Sequence, residues 1–375
     1  MKRVYFVTGA TGTVGSALVP FLLADPEAEV WLLLRAEGPQ ALAARLEALH
    51  GFWGHTPDAA ERSRVRALAG DVERPRFGLT AADHAALTRV CTHIVHCAGK
   101  VRMNLPLEAA RSAAVASARN VVELARACPE LEKVEFVSTV GVGGRLPGVV
   151  PEAWITAARA FHNTYEQSKA EAEDLIRAEV ERGLPLTVHR PSMVVGEAAT
   201  GRVIHFQIFY HLCEFLSGRR THGFTPRLGE ARLDIIPADY VGRALAWASQ
   251  TPATAGRILH LCAGPHGAIP LVELQRRVRE VWQAQGIDLP PLRALPPGWL
   301  RAALPLLRLL TPPPARRALN ALPIFLDYLA DTQAFANDAT RRLLEAAGIV
   351  APAPAEYLDR LFAYYFRHGN VSGRV

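Results

Sequence analysis

The chain has 375 residues, half of them hydrophobic and 21% charged, with a net charge of +6 at neutral pH. That length can bury a large core in one domain or two modest ones, and the composition is that of a globular enzyme. The mild positive charge points to no nucleic acid and no nucleic-acid motif accompanies it, while no apolar run reaches the ~18 residues of a membrane-crossing helix.

In chain order, Val4-Tyr5-Phe6-Val7 reads as a buried parallel strand. Thr8-Gly9-Ala10-Thr11-Gly12-Thr13-Val14-Gly15 follows at once, and Ser16 to Leu23 has helical periodicity. Strand, glycine turn and helix are the context of a dinucleotide site. Gly9 permits the tight turn, Gly12 lets the backbone approach a pyrophosphate drawn to the helix N-terminus, and Gly15 lets helix and strand pack closely. Thr8, Thr11, Thr13 and Val14 complete the cofactor-facing turn. A second strand, Val30 to Leu34, ends at Arg35, where an acidic residue would repel a 2′-phosphate and an arginine attracts one, so the expected cofactor is NADP(H). Arg45 reads either as a second phosphate ligand or as a solvated helix-face charge. Asp71, with Val72, follows a third strand in Val65–Gly70 and reads either as a contact to the adenine or as a structural turn residue. His93 to Gly99 reads as a fourth strand running into a small-residue turn, which sets Cys97, Ala98, Gly99 and Lys100 beside the cofactor and leaves His96 in the core.

The alternation continues with an Ala-rich helix over Leu107–Ala127, a strand from Val134 to Thr139, a charged helix from Tyr165 to Arg182 ended by Gly183, and a strand over Leu186–Pro191. Such alternation predicts a Rossmann-type, doubly wound parallel sheet covered by helices on both faces. Leu233–Pro237 and Ile258–Leu261 read as strands returning to that body. The expected division is a nucleotide-binding domain over 1–196 plus about 233–262, and a smaller, mainly helical substrate lobe over about 197–232 plus 263–375. Within the lobe, Leu292–Phe325 combines many leucines and prolines with Arg293, Arg301, Arg308, Arg316 and Arg317 and holds no acidic residue. It reads as an apolar lid with a basic rim for an acyl chain on CoA or an acidic carrier protein, as a peripheral membrane contact, or as short core helices with solvated arginines outside. Five scattered cysteines, Cys91, Cys97, Cys128, Cys213 and Cys262, form no C-x-x-C pair or His/Cys cluster, so no metal is expected and a reducing cytoplasm suits them. The N-terminus enters a strand within a few residues, which leaves no room for a signal peptide.

The chemistry concentrates in Tyr165-Glu166-Gln167-Ser168-Lys169. Residues four apart share a helix face, so the Tyr165 phenol and the Lys169 ammonium reach one spot, and the positive charge is expected to lower the phenol pKa. Thr139, at the end of the fifth strand, falls at the same sheet edge and can donate to a substrate carbonyl; Ser138 is the alternative donor. Thr139, Tyr165 and Lys169 behind an intact glycine turn make the expected catalytic set, with Tyr165 and Lys169 also touching the nicotinamide side.

On these residues the chain resembles an extended short-chain dehydrogenase/reductase. The resemblance is carried by TGATGTVG, Asp71, HCAG, Ser138-Thr139, YEQSK, Arg190-Pro191-Ser192-Met193-Val194-Val195-Gly196 and LDIIPADYVGRAL, spanning about 1–245. It implies that Pro191, Ser192, Met193 and Val194 flank the nicotinamide. Within that superfamily the chain is most similar to thioester reductases and fatty acyl-CoA reductases, through LLLRAEG, the His96–Val101 turn followed by Asn104–Leu107, Phe335-Ala336-Asn337, Gly348–Pro352 and Glu356 to Tyr365. One departure is that Ala114 stands where the family has an asparagine that shapes the site around the lysine. The resemblance implies NADPH-dependent reduction of an acyl thioester to an aldehyde, and onward to an alcohol, the thioester coming from CoA or a separate acyl carrier protein. Sugar-nucleotide epimerases and dehydratases share the glycine motif and the Tyr–Lys pair, but Arg35 and the leucine-rich segment speak against them. Reduction of another hydrophobic ketone uses the same chemistry. A non-catalytic sensor would commonly lack the tyrosine or the lysine.

Overall fold

The computed structural model describes residues 2–101, 103, 105–296, 298–299 and 333–369. Of the expected apolar lid, only Leu292–Pro296, Gly298 and Trp299 fall among them; the rest of 292–325 lies outside the described residues, as does Asn104. The body is a seven-stranded, wholly parallel sheet. Its strands are β1 (Val4–Thr8), β2 (Glu29–Leu34), β3 (Val65–Ala69), β4 (His93–His96), β5 (Lys133–Val137), β6 (Leu186–Pro191) and β7 (Ile258–Leu261), in the spatial order β7-β6-β5-β4-β1-β2-β3. Runs such as Val4–Thr8 are buried along their whole length because helices cover both faces. On one face the helices Thr13–Leu23 and Ala238–Ser249 bury Leu18, Val19, Leu22, Val241, Ala244 and Leu245 against the sheet. On the other, Ser117–Ala127 and Thr164–Glu181 bury Ala118, Val121, Val122, Leu124, Ala172 and Ile176. The strand order reverses between β1 and β4, which opens a crevice at their carboxyl ends.

Two elements differ from the sequence reading. The Leu107–Ala127 stretch is interrupted: Leu107–Arg111 is α-helical, Ser112–Ala116 is a π-helical turn, and Ser117–Ala127 is α-helical again. The Ser117 hydroxyl lies 2.8 Å from the Ala113 carbonyl and 3.0 Å from that of Ala114, so it back-bonds into the widened turn. Likewise Leu233–Pro237 is not one strand of the large sheet. It breaks at Asp234 into Arg232–Leu233, antiparallel to Ile269–Pro270, and Ile235–Pro237, parallel to Met193–Val195. The break follows from the Asp234 carboxylate, which accepts the Ala263 and Gly264 N–H groups at 2.8 and 2.9 Å.

A second apolar core gathers around the helices Ile208–Leu216, Leu271–Ala284 and Pro354–His368. Aromatic rings dominate it: Tyr210 stacks on Tyr365 at 5.2 Å and Trp282 meets Phe362 edge-on at 5.4 Å. The Tyr357 hydroxyl donates to the Ile235 carbonyl at 3.1 Å and so ties this core to the strand leaving the body.

Two buried ion-pair networks lie in the body. Lys133, 2% exposed, donates to Glu135 at 2.9 Å and to the Thr187 and Thr254 hydroxyls at 2.7 Å each. The other Glu135 oxygen meets His189 Nε2 at 2.5 Å. Arg190, with no exposure, grips Glu173 bidentately at 3.0 and 2.6 Å. Its remaining nitrogen donates to the Ala153 carbonyl at 3.0 Å and to His260 Nε2 at 3.2 Å. Removing one partner of such a pair leaves an uncompensated buried charge. Glu173→Ala should therefore lower the unfolding free energy by about 3–5 kcal/mol. Breaking the exposed Arg341–Asp338 pair should change it by less than about 1 kcal/mol, both read from urea midpoints. Equal small losses would mean that Arg190 finds water or another anion.

Candidate active site

β1 runs directly into the glycine turn. Gly9 sits at φ +78°, and a Cβ there would lie 2.6 Å from the Ala98 nitrogen; a Cβ on Gly15 would collide with the Gly9 carbonyl oxygen. The turn closes with the Gly12 N–H donating to the Gly9 carbonyl at 2.9 Å. Gly12 is the N-cap of the Thr13–Leu23 helix and no side chain caps it, so first-turn N–H groups stay open to an anion. The Thr13 hydroxyl is buried without a partner among the described residues. A backbone cradle that excludes side chains, an open helix N-terminus and an orphan hydroxyl fit a dinucleotide pyrophosphate. Across the crevice, the Cys97 and Ala98 N–H groups donate to the Thr8 carbonyl at 3.1 Å and to its hydroxyl at 3.4 Å, which sets Cys97-Ala98-Gly99 against the turn.

The structure brings Arg35, Asp71 and Lys100 together beyond the carboxyl ends of β2, β3 and β4. Arg35 lies 3.3 Å from Asp71 and 3.3 Å from Glu73, and Lys100 lies 2.6 Å from Glu73. Val72 is buried beside them. Arg45 is exposed on the helix Pro39–Trp53 and makes no ion pair among the described residues.

Thr139 follows β5 and caps the short turn Val140–Gly143, its hydroxyl oxygen accepting the Gly141 N–H at 3.1 Å. The hydroxyl proton is thereby left for another acceptor. Thr139 keeps partial exposure, whereas Ser138 is only 4% exposed, which favours Thr139 as the group that meets a substrate. Tyr165 lies in the first turn of the Thr164–Glu181 helix, whose N-cap Asn163 accepts the Glu166 N–H at 3.0 Å. Lys169 is one turn on and 5% exposed. Its ammonium donates to the Val137 carbonyl at 3.2 Å and lies 5.7 Å from the Phe136 ring centre.

The expected lowering of the Tyr165 pKa is absent from this arrangement. Burial pushes the phenol up to about 12, against the opposing pull of the Thr139 hydroxyl. The Lys169 ammonium, engaged at the Val137 carbonyl, does not offset that burial. Burial in turn presses Lys169 down to about 8, with Glu173 and Cys97 pulling it back up. Both groups are driven toward their neutral forms. Burial also lifts the Cys97 thiol to about 12, so its side chain is a filler rather than a nucleophile. Pro191 and Ser192 leave β6, with the Ser192 N–H donating to Leu261 at 3.1 Å. Met193 and Val194 then pair with Ile235 and Ile236. Beneath that segment, burial raises Asp234 to about 6.

Three residues here escaped the sequence reading. Glu73, two positions after Asp71, is the anion between Arg35 and Lys100. Glu166, 2% exposed, accepts the His162 N–H at 3.0 Å and lies 2.9 Å from His162 Nδ1. Its neighbour across the gap is Gly141, so Glu166 joins the start of the Tyr165 helix to the turn after Thr139. The Asn163-x-x-Glu166 spacing of a capping box was the available signal. His96, read only as core, bridges Thr8 at 2.8 Å and Ser117 at 3.4 Å and stacks on Phe136 at 5.2 Å.

The chain belongs to the male sterility protein family, whose model matches residues 7–245. It is similar to isonitrile lipopeptide synthase of Streptomyces coeruleorubidus, 38% identical over 257 residues that cover 66% of this chain and 17% of that protein. It is also similar to one of the linear gramicidin synthase subunits of Brevibacillus parabrevis, 28% identical over 263 residues, covering 68% of this chain and 5% of that one. The chain thus spans less than a fifth of the length of these curated relatives. Among solved structures it is similar to the terminal R domain from the myxalamid PKS-NRPS biosynthetic pathway, with a TM-score of 0.80 and 25% identity, covering 99% of this chain and 92% of that one. The reading as an extended short-chain dehydrogenase/reductase of the thioester reductase type is borne out, and the chain is an NAD(P)-dependent oxidoreductase of that kind.

The buried ammonium has a consequence for stability. Below pH 8 Lys169 is charged in both the folded and the unfolded chain, so the folded protein bears the full desolvation cost. Between about 8 and the ordinary 10.5 the folded lysine is neutral while the unfolded one still holds its proton, so stability rises with pH across that window. Lys169→Met should be more stable than the natural chain at pH 7, by on the order of 3 kcal/mol, and the gain should shrink toward pH 10.5. Denaturant unfolding at several pH values measures this; a difference independent of pH would mean that Lys169 is hydrated in the free protein.

Proposed function

We propose that this chain is a reductase that releases an acyl group from a carrier-protein thioester as an aldehyde, with NADPH as reductant. The observation that carries the reading is the convergence of Thr139, Tyr165 and Lys169 at the sheet edge that also holds the glycine turn. The preference for NADPH rests on Arg35 at the end of β2, with Lys100 nearby. The carrier-bound thioester is supported by the likeness to the myxalamid R domain and to two peptide synthases. We assign substrate binding to the lobe over about 197–232 and 263–375, around the second apolar core. Among the described residues no helix is long and apolar enough to cross a membrane.

NADPH, when bound, supplies the hydride. Thr139, its oxygen already engaged by Gly141, directs its proton at the thioester carbonyl oxygen. Tyr165 holds its proton firmly, as a group pushed up to about 12 must, and gives it up only as negative charge builds on that oxygen. Lys169, a buried cation with no carboxylate paired to it among the described residues, offers its ammonium to the sugar hydroxyls of the cofactor and adds positive potential where the oxyanion forms. Collapse of the hemithioacetal breaks the C–S bond, the sulfur takes a proton, and aldehyde and free carrier thiol part. A second round on the aldehyde yields the alcohol.

The test is NADPH oxidation against an acyl thioester on a phosphopantetheinylated carrier protein, the matching acyl-CoA, the matching aldehyde, a hydrophobic ketone and a sugar nucleotide. The carrier thioester should be turned over fastest; silence with every thioester and aldehyde would sink the reading. Tyr165→Phe should lose ~10²–10⁴-fold in turnover while binding NADPH as the natural chain does. Surviving activity would remove Tyr165 from the proton-donor role.

A further inference from the structure

At the adenosine end, two cations that the sequence assigns to the cofactor are both already held by one carboxylate. Glu73 Oε1 lies 3.3 Å from Arg35 and 2.6 Å from Lys100, and its other oxygen accepts the Ser112 hydroxyl at 3.3 Å. Arg35 follows β2, Glu73 follows β3 and Lys100 follows β4. In the sheet β1 and β2 lie between β4 and β3, so the Glu73–Lys100 pair joins loops across the carboxyl ends of both. That is where a dinucleotide extends its adenosine from the glycine turn.

The fold delivers Glu73 to this place. Its N–H donates to Asp71 Oδ1 at 3.0 Å. On either side of it, the carbonyls of Val72 and Arg74 accept from Asn120 at 2.8 and 2.9 Å. Phe77, buried and at φ +58°, and the Asp71 N–H bond to its carbonyl at 2.8 Å lock the rest of the loop. The anion is also the sheltered partner: the Glu73 side chain is 18% exposed, against 53% for Arg35 and 40% for Lys100. Two long, exposed cations can swing to a new anion while the carboxylate stays pinned.

We propose that Glu73, the counter-ion shared by Arg35 and Lys100 while Asp71 neighbours Arg35 alone, must be displaced by a 2′-phosphate, and that it thereby limits the preference for NADP(H) over NAD(H). The proposal rests on the reading that Arg35 serves NADPH. Glutamine at 73 keeps the shape and removes the charge.

The experiment is equilibrium binding, without turnover, of NADPH, NADH and 2′,5′-ADP to the natural chain, Glu73→Gln, Glu73→Ala, Arg35→Ala and the Arg35→Ala/Glu73→Gln double variant. Both Glu73 variants should bind NADPH and 2′,5′-ADP about fivefold more tightly, the combined effect of losing its two competing pairs to Arg35 and Lys100, with NADH changed less than about twofold. The gain should shrink in the double variant. Unchanged or weaker NADPH binding in the Glu73 variants overturns the proposal. If Arg35→Ala erases the preference for NADPH while the Glu73 variants leave it untouched, the cofactor reading stands and the counter-ion role falls. If the natural chain shows no preference for NADPH and Arg35→Ala changes nothing, the cofactor reading itself fails, and the proposal with it.

Discussion

The guanidinium of Arg190 has no contact with solvent, and much of the site is built around keeping it satisfied. A buried cation is tolerated only with good geometry and a full set of acceptors. Glu173 supplies the bidentate carboxylate from the helix that carries Tyr165 and Lys169, one turn beyond the lysine. The Ala153 carbonyl pins the segment leading back toward that helix, and His260 links β7. His260 Nδ1 in turn donates to the Ala336 carbonyl at 2.7 Å, and the Glu152 carboxylate accepts from the backbone of Ala339 and Thr340 at 2.8 and 2.9 Å. One ion pair therefore sets the roll of the Thr164–Glu181 helix, the path of the chain beside it and the seat of the C-terminal segment. Since Arg190 is followed by Pro191 and Ser192, it also fixes where the Pro191–Val194 segment leaves the sheet.

That pair also explains the electrostatics of the lysine. Glu173 lies on the Lys169 face of the helix, but its charge is committed to Arg190, so it offsets only part of the desolvation that presses Lys169 to about 8. The groups around the crevice move the same way for the same reason. Tyr165 and Cys97 rise to about 12, and His96 falls to about 3 through burial with a further push from Lys169. All are driven toward neutrality by exclusion of water. In such surroundings a proton on Tyr165 is held until negative charge forms next to it, and each fixed donor counts for more than it would in water. The tyrosine and lysine that the spacing pairs are both driven toward neutrality, and the physical cause is burial rather than the simple attraction that the spacing suggests.

What the sequence made legible is what is local. The strand–glycine–helix unit, the alternation of strands and helices and the Tyr165–Lys169 face each depend on residues a few positions apart. What stayed hidden depends on partners far apart in the chain. Glu73 acquires meaning only from Arg35 and Lys100, and Glu135 only from His189 on the neighbouring strand. Asp234 reads as a strand residue until the N–H groups of Ala263 and Gly264 face it. The strand read from Val134 to Thr139 runs over Lys133–Val137, and it was legible because neighbouring valines and Phe136 outweigh two charges, although both charges are buried.

At Ala114 a departure in sequence falls within a break of the helix. A side chain is missing at the position where the resemblance led one to expect an asparagine, yet the helix is widened at that place into a π-turn over Ser112–Ala116. A π-turn frees carbonyls from regular pairing, and here the Ser117 hydroxyl reaches those of Ala113 and Ala114. Ser117 meets His96 Nε2, and His96 Nδ1 meets the Thr8 hydroxyl at the mouth of the glycine turn. With His96 neutral, one consistent direction runs from the Thr8 O–H to Nδ1, from the Nε2 proton to Ser117, and from the Ser117 O–H to the turn. The imidazole lies on Phe136, the ring that Lys169 also faces. The widened helix, the lysine and the dinucleotide turn are therefore held in one register by a buried chain that needs no side-chain amide at position 114.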